Sequence, residues 1–91
     1  MKVAYHSSYD KNYKKLPRNK QLGADYAIDV FIDLFKIGQK PKGLGLKKLK
    51  NNYWEIRIDL YYRIIFELEK DLISFVLIGN HDSIRKFLND H

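Results

Sequence analysis

The chain has 91 residues and no cysteine, and its 17 lysines and arginines against 11 aspartates and glutamates give a formal net charge of +6. This length suits a single domain over residues 1–91, and the lack of cysteine excludes disulfides and thiolate zinc sites. The histidines at positions 6, 81 and 91 have no ligand spacing, so we expect no metal and no cofactor. The excess of basic residues favours a polyanionic partner, although the positive charge could also serve only to keep the protein soluble.

The sequence predicts no membrane segment. No apolar run approaches the roughly 20 residues that a spanning helix needs. Residues 1–6 lack the apolar core of a signal peptide. We therefore expect a cytoplasmic protein.

The first half predicts one strand and two helices. Alternation indicates a strand over residues 2–7, and Ser8 is suited to cap a helix over residues 9–16. Pro17 ends that helix. Apolar residues then recur at three- and four-residue steps, which predicts the longest helix over residues 19–38 and places Gly38 at its C′ position.

The second half predicts a sheet after a breaker-rich loop over residues 39–45. Strands are expected over residues 53–59, 61–69 and 72–78. In the first of these, alternation places Trp54 with the apolar core and gives the opposite face charged residues. The third is almost wholly apolar, which is typical of a central strand covered on both faces. Asp82 or Ser83 can cap a last short helix.

Four spaced segments carry a resemblance to a known family: residues 45–49 (GLKKL), 53–58 (YWEIRI), 62–66 (YRIIF) and 78–82 (IGNHD). They are similar to segments of the RelE/ParE superfamily of bacterial toxins. With the β-α-α-β-β-β-α order, the resemblance covers nearly the whole chain. It implies an α+β fold with a small, mostly antiparallel sheet packed against two N-terminal helices, and a short C-terminal helix.

The resemblance also implies the toxin of a type II toxin–antitoxin system. RelE-like members cleave mRNA, most of them in the ribosomal A site, whereas ParE-like members poison DNA gyrase. We expect a metal-independent, ribosome-dependent endoribonuclease that inhibits translation. A ParE-like gyrase poison and a degenerate toxin that only binds its antitoxin are the alternatives. The expected partner is an acidic antitoxin that orders over the basic face and forms a hetero-oligomer.

RNA cleavage by the 2′-hydroxyl needs a base, an acid and positive charge at the phosphorane. Arg63, expected on the exposed side of the middle strand, suits phosphate binding because its planar fork matches two oxygens. Arg57 would assist it, or would instead form a surface pair with Glu67 or Glu55. At His81 the resemblance places a catalytic arginine or histidine. A histidine, with an ordinary pKa of about 6.5, suits acid or base catalysis, but it could also simply pack against the last helix.

The remaining candidates are a carboxylate, an aromatic ring and a group of lysines. Glu55 falls where relatives carry a basic catalytic residue, and as a carboxylate it could act as the base. Phe87 corresponds to an aromatic that stacks on a base in relatives, and it can stack but not transfer a proton. A patch of Lys47, Lys48 and Lys50 would bind RNA phosphates.

Overall fold

The eight elements of the fold follow the expected order, with one addition. The computed structural model describes residues 2–39 and 43–90. Its elements are β1 (Lys2–Tyr5), α1 (Ser7–Lys14), α2 (Arg18–Lys36), β2 (Lys47–Lys48), β3 (Tyr53–Arg57), β4 (Tyr62–Glu69), β5 (Leu72–Asn80) and α3 (His81–Asp90). The predicted α+β class and β-α-α-β-β-β-α order are confirmed, and the two-residue edge strand β2 is additional. No helix within the described ranges is long and apolar enough to cross a membrane.

The five strands form one mixed sheet in the order β1-β5-β4-β3-β2. β1 runs parallel to β5, and the other neighbouring pairs are antiparallel. The register between β4 and β5 shifts beside Phe66, which leaves Val76 as the extra residue of a bulge. Every residue from Ile73 to Val76 is buried, as predicted for a central strand covered on both faces.

The main core lies between one face of the sheet and the helices α1 and α2. Ile56, Ile64 and Phe66 supply the sheet side of this core, and each is fully buried. Phe31 of α2 packs against Phe66 with ring centroids 4.7 Å apart. Gly23 brings α2 close to the sheet, because a Cβ at this position would lie 3.0 Å from a methyl carbon of Ile58.

The two N-terminal helices differ in how well their ends were predicted. α1 begins at Ser7, and its N-cap position is held by His6, which makes no side-chain capping bond. The prediction that Ser8 caps this helix is wrong, since its hydroxyl donates to the carbonyl of Val76 at 2.5 Å and so ties α1 to β5. The predicted C′ glycine of α2 is confirmed: Gly38 has a φ of +72° and its N–H donates to the carbonyl of Phe35.

The predicted loop over residues 39–45 lies partly outside the described residues, which resume at Gly43. Gly43 and Gly45 both have positive φ values, +85° and +62°, in the turn that leads into β2. The carbonyl of Leu44 accepts the N–H of Arg57, so this turn is joined to the end of β3. Leu44 is buried in the main core.

The second face of the sheet is covered by α3. Ile65 of β4 and Ile84 of α3 are both buried outside the main core. Because neighbouring residues of a strand point to opposite faces, the charged residues that alternate with the core residues of β3 and β4 lie on this same side. The side of β4 that the sequence predicted to be exposed is therefore largely enclosed.

Candidate functional site

A cleft of ≈ 350 Å³ lies between α3 and the second face of the sheet. It is lined by Lys47, Leu49, Glu55, Arg63, His81, Ile84, Arg85, Leu88 and Asn89. Four of these, Lys47, Glu55, Arg63 and His81, are residues that the sequence singled out. Strands β2, β3 and β4 contribute one wall, and residues at helical spacing on α3 contribute the other.

The floor of the cleft is an ion pair between neighbouring strands. Nη1 of Arg63 donates to Oε2 of Glu55 at 2.6 Å. The side chains are only 23% and 7% exposed, so water screens the pair weakly. Within the described ranges, the buried Nε of Arg63 has no hydrogen-bond partner. Arg63 thus lines the cleft from an enclosed position rather than the exposed one that the sequence predicted, and its unpartnered Nε is itself shielded from solvent.

The mouth of the cleft holds a histidine and an arginine one helical turn apart. His81 is the first residue of α3, and its Nε2 lies 3.0 Å from Nη2 of Arg85. Guanidinium is a donor only, so Nε2 accepts, which places the proton of a neutral ring on Nδ1. Sequence reasoning missed Arg85. The four-residue spacing from His81 was the available signal, because it brings two helical side chains together.

The start of α3 positions this histidine. Oδ1 of Asn80 accepts the N–H of Ser83 at 2.9 Å, so Asn80 caps the helix. The prediction that Asp82 or Ser83 is the cap is wrong, because the helix begins directly after β5. Gly79 permits the close approach of helix and strand, since a Cβ on Gly79 would lie 3.0 Å from the Cβ of Ser83.

Arg57 is close to Arg63 in the sheet but lies outside the lining of the cleft. The two residues are direct partners in the register of β3 and β4. The exposed Arg57 side chain lies against Gly45, where a Cβ would be 3.1 Å from its Nε. Among the described residues Arg57 forms no ion pair, so the expected alternative pairing with Glu67 or Glu55 is not formed. Its role at the site stays a prediction.

The three predicted lysines do not share one surface. Lys47 lines the cleft, but Lys48 is opposite Trp54 in the register and its Nζ lies 5.7 Å from the centre of the Trp54 ring. This contact places Lys48 on the other face of the sheet. Lys50 is exposed in the turn after β2. The half-buried Trp54 packs against the main core, as its alternation predicted.

Phe87 lies on α3 beside the cleft rather than in its lining. The half-buried ring meets Tyr53 edge-on, with centroids 5.3 Å apart and an interplanar angle of 75°. A stacking role for Phe87 with an RNA base is not tested by this contact.

The charges of the cleft favour an anion. Among the described residues that line it, Lys47, Arg63 and Arg85 are opposed by one carboxylate, that of Glu55. Within residues 2–39 and 43–90, no group of three or more histidine, aspartate or glutamate side chains could hold a metal ion. His91 lies outside these ranges. Guanidinium groups in a confined site match the geometry and charge of a phosphate.

Comparison with known proteins gives a consistent fold. No family model matches the chain, and no curated protein is significantly similar to it. The RelB–RelE antitoxin–toxin complex from Methanococcus jannaschii contains a similar chain, with a TM-score of 0.73 and 24% identity over 93% of this chain and 98% of that one. The DinJ–YafQ complex from E. coli also contains a similar chain, with a TM-score of 0.71 and 18% identity over 90% of this chain and 94% of that one.

A third similar structure is the YoeB/ParE toxin from Agrobacterium tumefaciens, with a TM-score of 0.66 and 18% identity over 89% of this chain and 99% of that one. At such identities the likeness defines the fold. The chain therefore has the fold of the RelE-like toxins, and the fold that the sequence resemblance implied is confirmed.

Proposed function

We propose that this chain is the toxin of a type II toxin–antitoxin pair and acts as an endoribonuclease that cleaves mRNA on the ribosome and stops translation. The observation that carries the proposal is the shared cleft, which both the Glu55–Arg63 pair and the His81–Arg85 pair line. The RelE-like fold supports it, because similar chains have been crystallised together with antitoxins.

The proposed reaction uses side chains of the cleft and no metal. The 2′-hydroxyl of the RNA attacks the adjacent phosphorus and the bond to the 5′-oxygen breaks, which yields a 2′,3′-cyclic phosphate and a 5′-hydroxyl. Glu55, ionised beside Arg63, accepts the proton of the 2′-hydroxyl. Arg63, which lines the cleft, donates to the phosphorane, where negative charge increases.

His81 supplies the proton to the departing 5′-oxygen. In the free protein Arg85 donates to its Nε2. A bound phosphate competes for the Arg85 guanidinium and releases Nε2, and the same anion favours the protonated imidazole. Arg85 thereby becomes a second phosphate ligand, and His81 becomes an acid at the moment when substrate is present.

The ribosome enters the proposal because the cleft offers no aromatic ring on which a base could stack. Among the described residues, no phenylalanine, tyrosine or tryptophan lies in its lining. Base stacking on aromatic side chains is a main way in which proteins hold single-stranded RNA. The ribosomal A site would supply the missing alignment. Lys47, Lys50 and Arg57 around the cleft would contact phosphates without sequence preference.

The proposed partner is an acidic antitoxin segment. The net charge of +6 and the cationic cleft favour such a segment, which would order as it covers the site. The resulting cytoplasmic hetero-oligomer would keep mRNA away from His81 and Arg63.

The test is primer-extension mapping of mRNA cuts in a purified translation system, with and without ribosomes. We expect discrete cuts that need ribosomes. Replacing His81 with glutamine should lower the cutting rate by about 100-fold or more. His6→Gln is the matched control, because His6 is exposed at the start of α1, on the other face of the sheet, and should cut as the wild type does.

Three results would redirect the proposal. Equal cutting by His81→Gln would remove the acid role from His81. Growth arrest with gyrase-dependent DNA breaks and intact mRNA would support the ParE-like alternative. A chain that is harmless without antitoxin and cuts nothing would support a degenerate toxin that only binds its antitoxin.

A further inference from the structure

A second cavity lies on the opposite side of the sheet from the cleft, among β1, α1 and α2. Its volume is ≈ 450 Å³, in the range of small-molecule sites. Its lining is dominated by three tyrosines and three aspartates: Tyr5, Tyr9, Tyr13, Asp10, Asp25 and Asp29. We call it the Tyr/Asp pocket. No lysine or arginine of residues 2–39 and 43–90 lines it, although the chain as a whole is strongly basic.

The tyrosines form a continuous aromatic wall. The ring centroids of Tyr5 and Tyr9 are 5.4 Å apart, and those of Tyr9 and Tyr13 are 5.9 Å apart. Tyr5 also stacks on Phe75 of the core at 5.2 Å, which fixes the wall to the sheet. The faces of such rings attract ammonium and guanidinium groups through their negative quadrupole.

The aspartates surround this wall with negative charge. The hydroxyl of Tyr13 donates to both carboxylate oxygens of Asp25, at 2.9 and 3.0 Å. Burial, followed by the charges of Asp29 and Asp25, raises the pKa of Tyr5 above its ordinary value. The field of the exposed carboxylates therefore reaches the rings. A cation in the pocket would meet this field together with the ring faces.

An independent observation comes from Tyr9, which is only 3% exposed. Its hydroxyl is buried without a hydrogen-bond partner among the described residues. Burial and the neighbouring Tyr5 and Asp25 raise the pKa of this hydroxyl, so it stays a neutral group with free lone pairs. A buried hydroxyl without a partner costs stability, and a ligand N–H that reaches it after a small side-chain shift would remove that cost.

We propose that the Tyr/Asp pocket binds an organic cation with an ammonium or guanidinium head, supplied by a free polyamine or by a lysine or arginine side chain of a polypeptide. The head lies against the Tyr5 and Tyr9 rings and donates to Asp25 and Asp29. One N–H is donated to the Tyr9 hydroxyl oxygen. This site is separate from the cleft and requires no nuclease activity, so it stands whether or not the chain cleaves RNA.

The test is an NMR titration of the full chain with three probes. N-acetylarginine amide carries the side-chain cation, spermidine is the free polyamine, and N-acetylcitrulline amide has the shape of the arginine probe without its charge. We expect saturable shifts at Tyr5, Tyr9 and Tyr13 with the first two and none with the third. Tighter binding of the arginine probe would indicate a polypeptide source, and tighter binding of spermidine a free cation.

Variants on one helix provide matched controls. Asp29→Asn removes a charge at the pocket and should weaken binding about threefold, whereas Asp33→Asn removes the same charge one turn away and should leave it unchanged. Tyr9→Phe should weaken binding roughly two- to tenfold. The proposal is overturned by the absence of saturable shifts, by equal binding of the citrulline probe, or by equal effects of the two aspartate variants.

Discussion

Replacing Arg63 with alanine should destabilise the fold more than replacing Glu55, although both changes break the same ion pair. The carboxylate of Glu55 is the more buried partner, with its side chain 7% exposed against 23% for Arg63. Without Arg63, the buried Glu55 carboxylate loses the cation with which it pairs, and Lys47, its register partner on β2, is exposed and forms no ion pair with it among the described residues. Without Glu55, the guanidinium of Arg63 can be hydrated through the cleft that it already lines.

The size of the effect follows from these exposures. Removing one partner of a fully buried pair costs about 3–5 kcal/mol. Because Arg63 is partly exposed, we expect the lower end, about 3 kcal/mol, for Arg63→Ala. For Glu55→Ala we expect about 1–2 kcal/mol, since only a partly hydrated cation is left unpaired. The double variant should lose less than the sum, with an interaction energy of about 1–3 kcal/mol.

The assay is urea unfolding of the four proteins in this double-mutant cycle. Trp54 is the only tryptophan in the chain and packs against the main core, so its fluorescence reports global unfolding. A larger loss for Glu55→Ala than for Arg63→Ala would refute the reasoning from burial. Additive losses, or losses below about 0.5 kcal/mol, would show that the pair is effectively solvated.

Three further changes test other contacts by the same unfolding assay. Gly79→Ala should cost about 1–3 kcal/mol, because its Cβ would lie 3.0 Å from that of Ser83; an unchanged midpoint would contradict this. Tyr9→Phe should raise the free energy of unfolding by up to about 1 kcal/mol by deleting an unpartnered buried hydroxyl, and a clear loss would reveal an overlooked partner. Although burial opposes ionisation of Asp59, the Lys20 ammonium and two backbone N–H groups hold its pKa below the ordinary value of 3.8. The stability that Asp59 adds is present above pH 3.8 and lost as pH falls through the lowered pKa, so Asp59→Asn should be about 1 kcal/mol less stable than the wild type at pH 7, and the difference should shrink as the pH falls below 3.8.

The sheet and the long helix were predictable because their residues repeat with the period of the structure they form. Trp54 and Ile56 alternate with charged neighbours, and the almost continuous apolar run of β5 is typical of a strand covered on both faces. Gly38 ends α2 because its positive φ is costly for other residues. These signals are local, so the sequence carries them without knowledge of the tertiary packing.

The enclosed state of the cleft was not predictable in the same way. Alternation shows that Glu55 and Arg63 share a polar face, but it does not show that a distant helix covers that face. The pairing of His81 with Arg85 depends on α3 starting at His81, and the expected caps at Asp82 or Ser83 placed the start later. The Tyr/Asp pocket requires β1, α1 and α2 to converge, which no spacing in the sequence encodes.

The stability of the ion pair decides which variant is informative about function. Arg63→Ala would lose activity through unfolding as well as through lost phosphate binding. His81 is exposed at the mouth of the cleft, so replacing it leaves the core untouched. Arg63→Lys keeps the charge and removes the planar fork, which separates charge from geometry. Activity losses at His81 are therefore the cleaner evidence for chemistry in the cleft.

The most direct test of the central claim is the chemistry of the cut ends. An mRNA bound to ribosomes is incubated with the protein, and the fragments are analysed by mass spectrometry. Attack by the 2′-hydroxyl predicts a 2′,3′-cyclic phosphate on one fragment and a 5′-hydroxyl on the other, with both products strongly reduced for His81→Gln. A 3′-hydroxyl with a 5′-phosphate, or no fragments from the folded wild-type protein, would contradict the proposed mechanism.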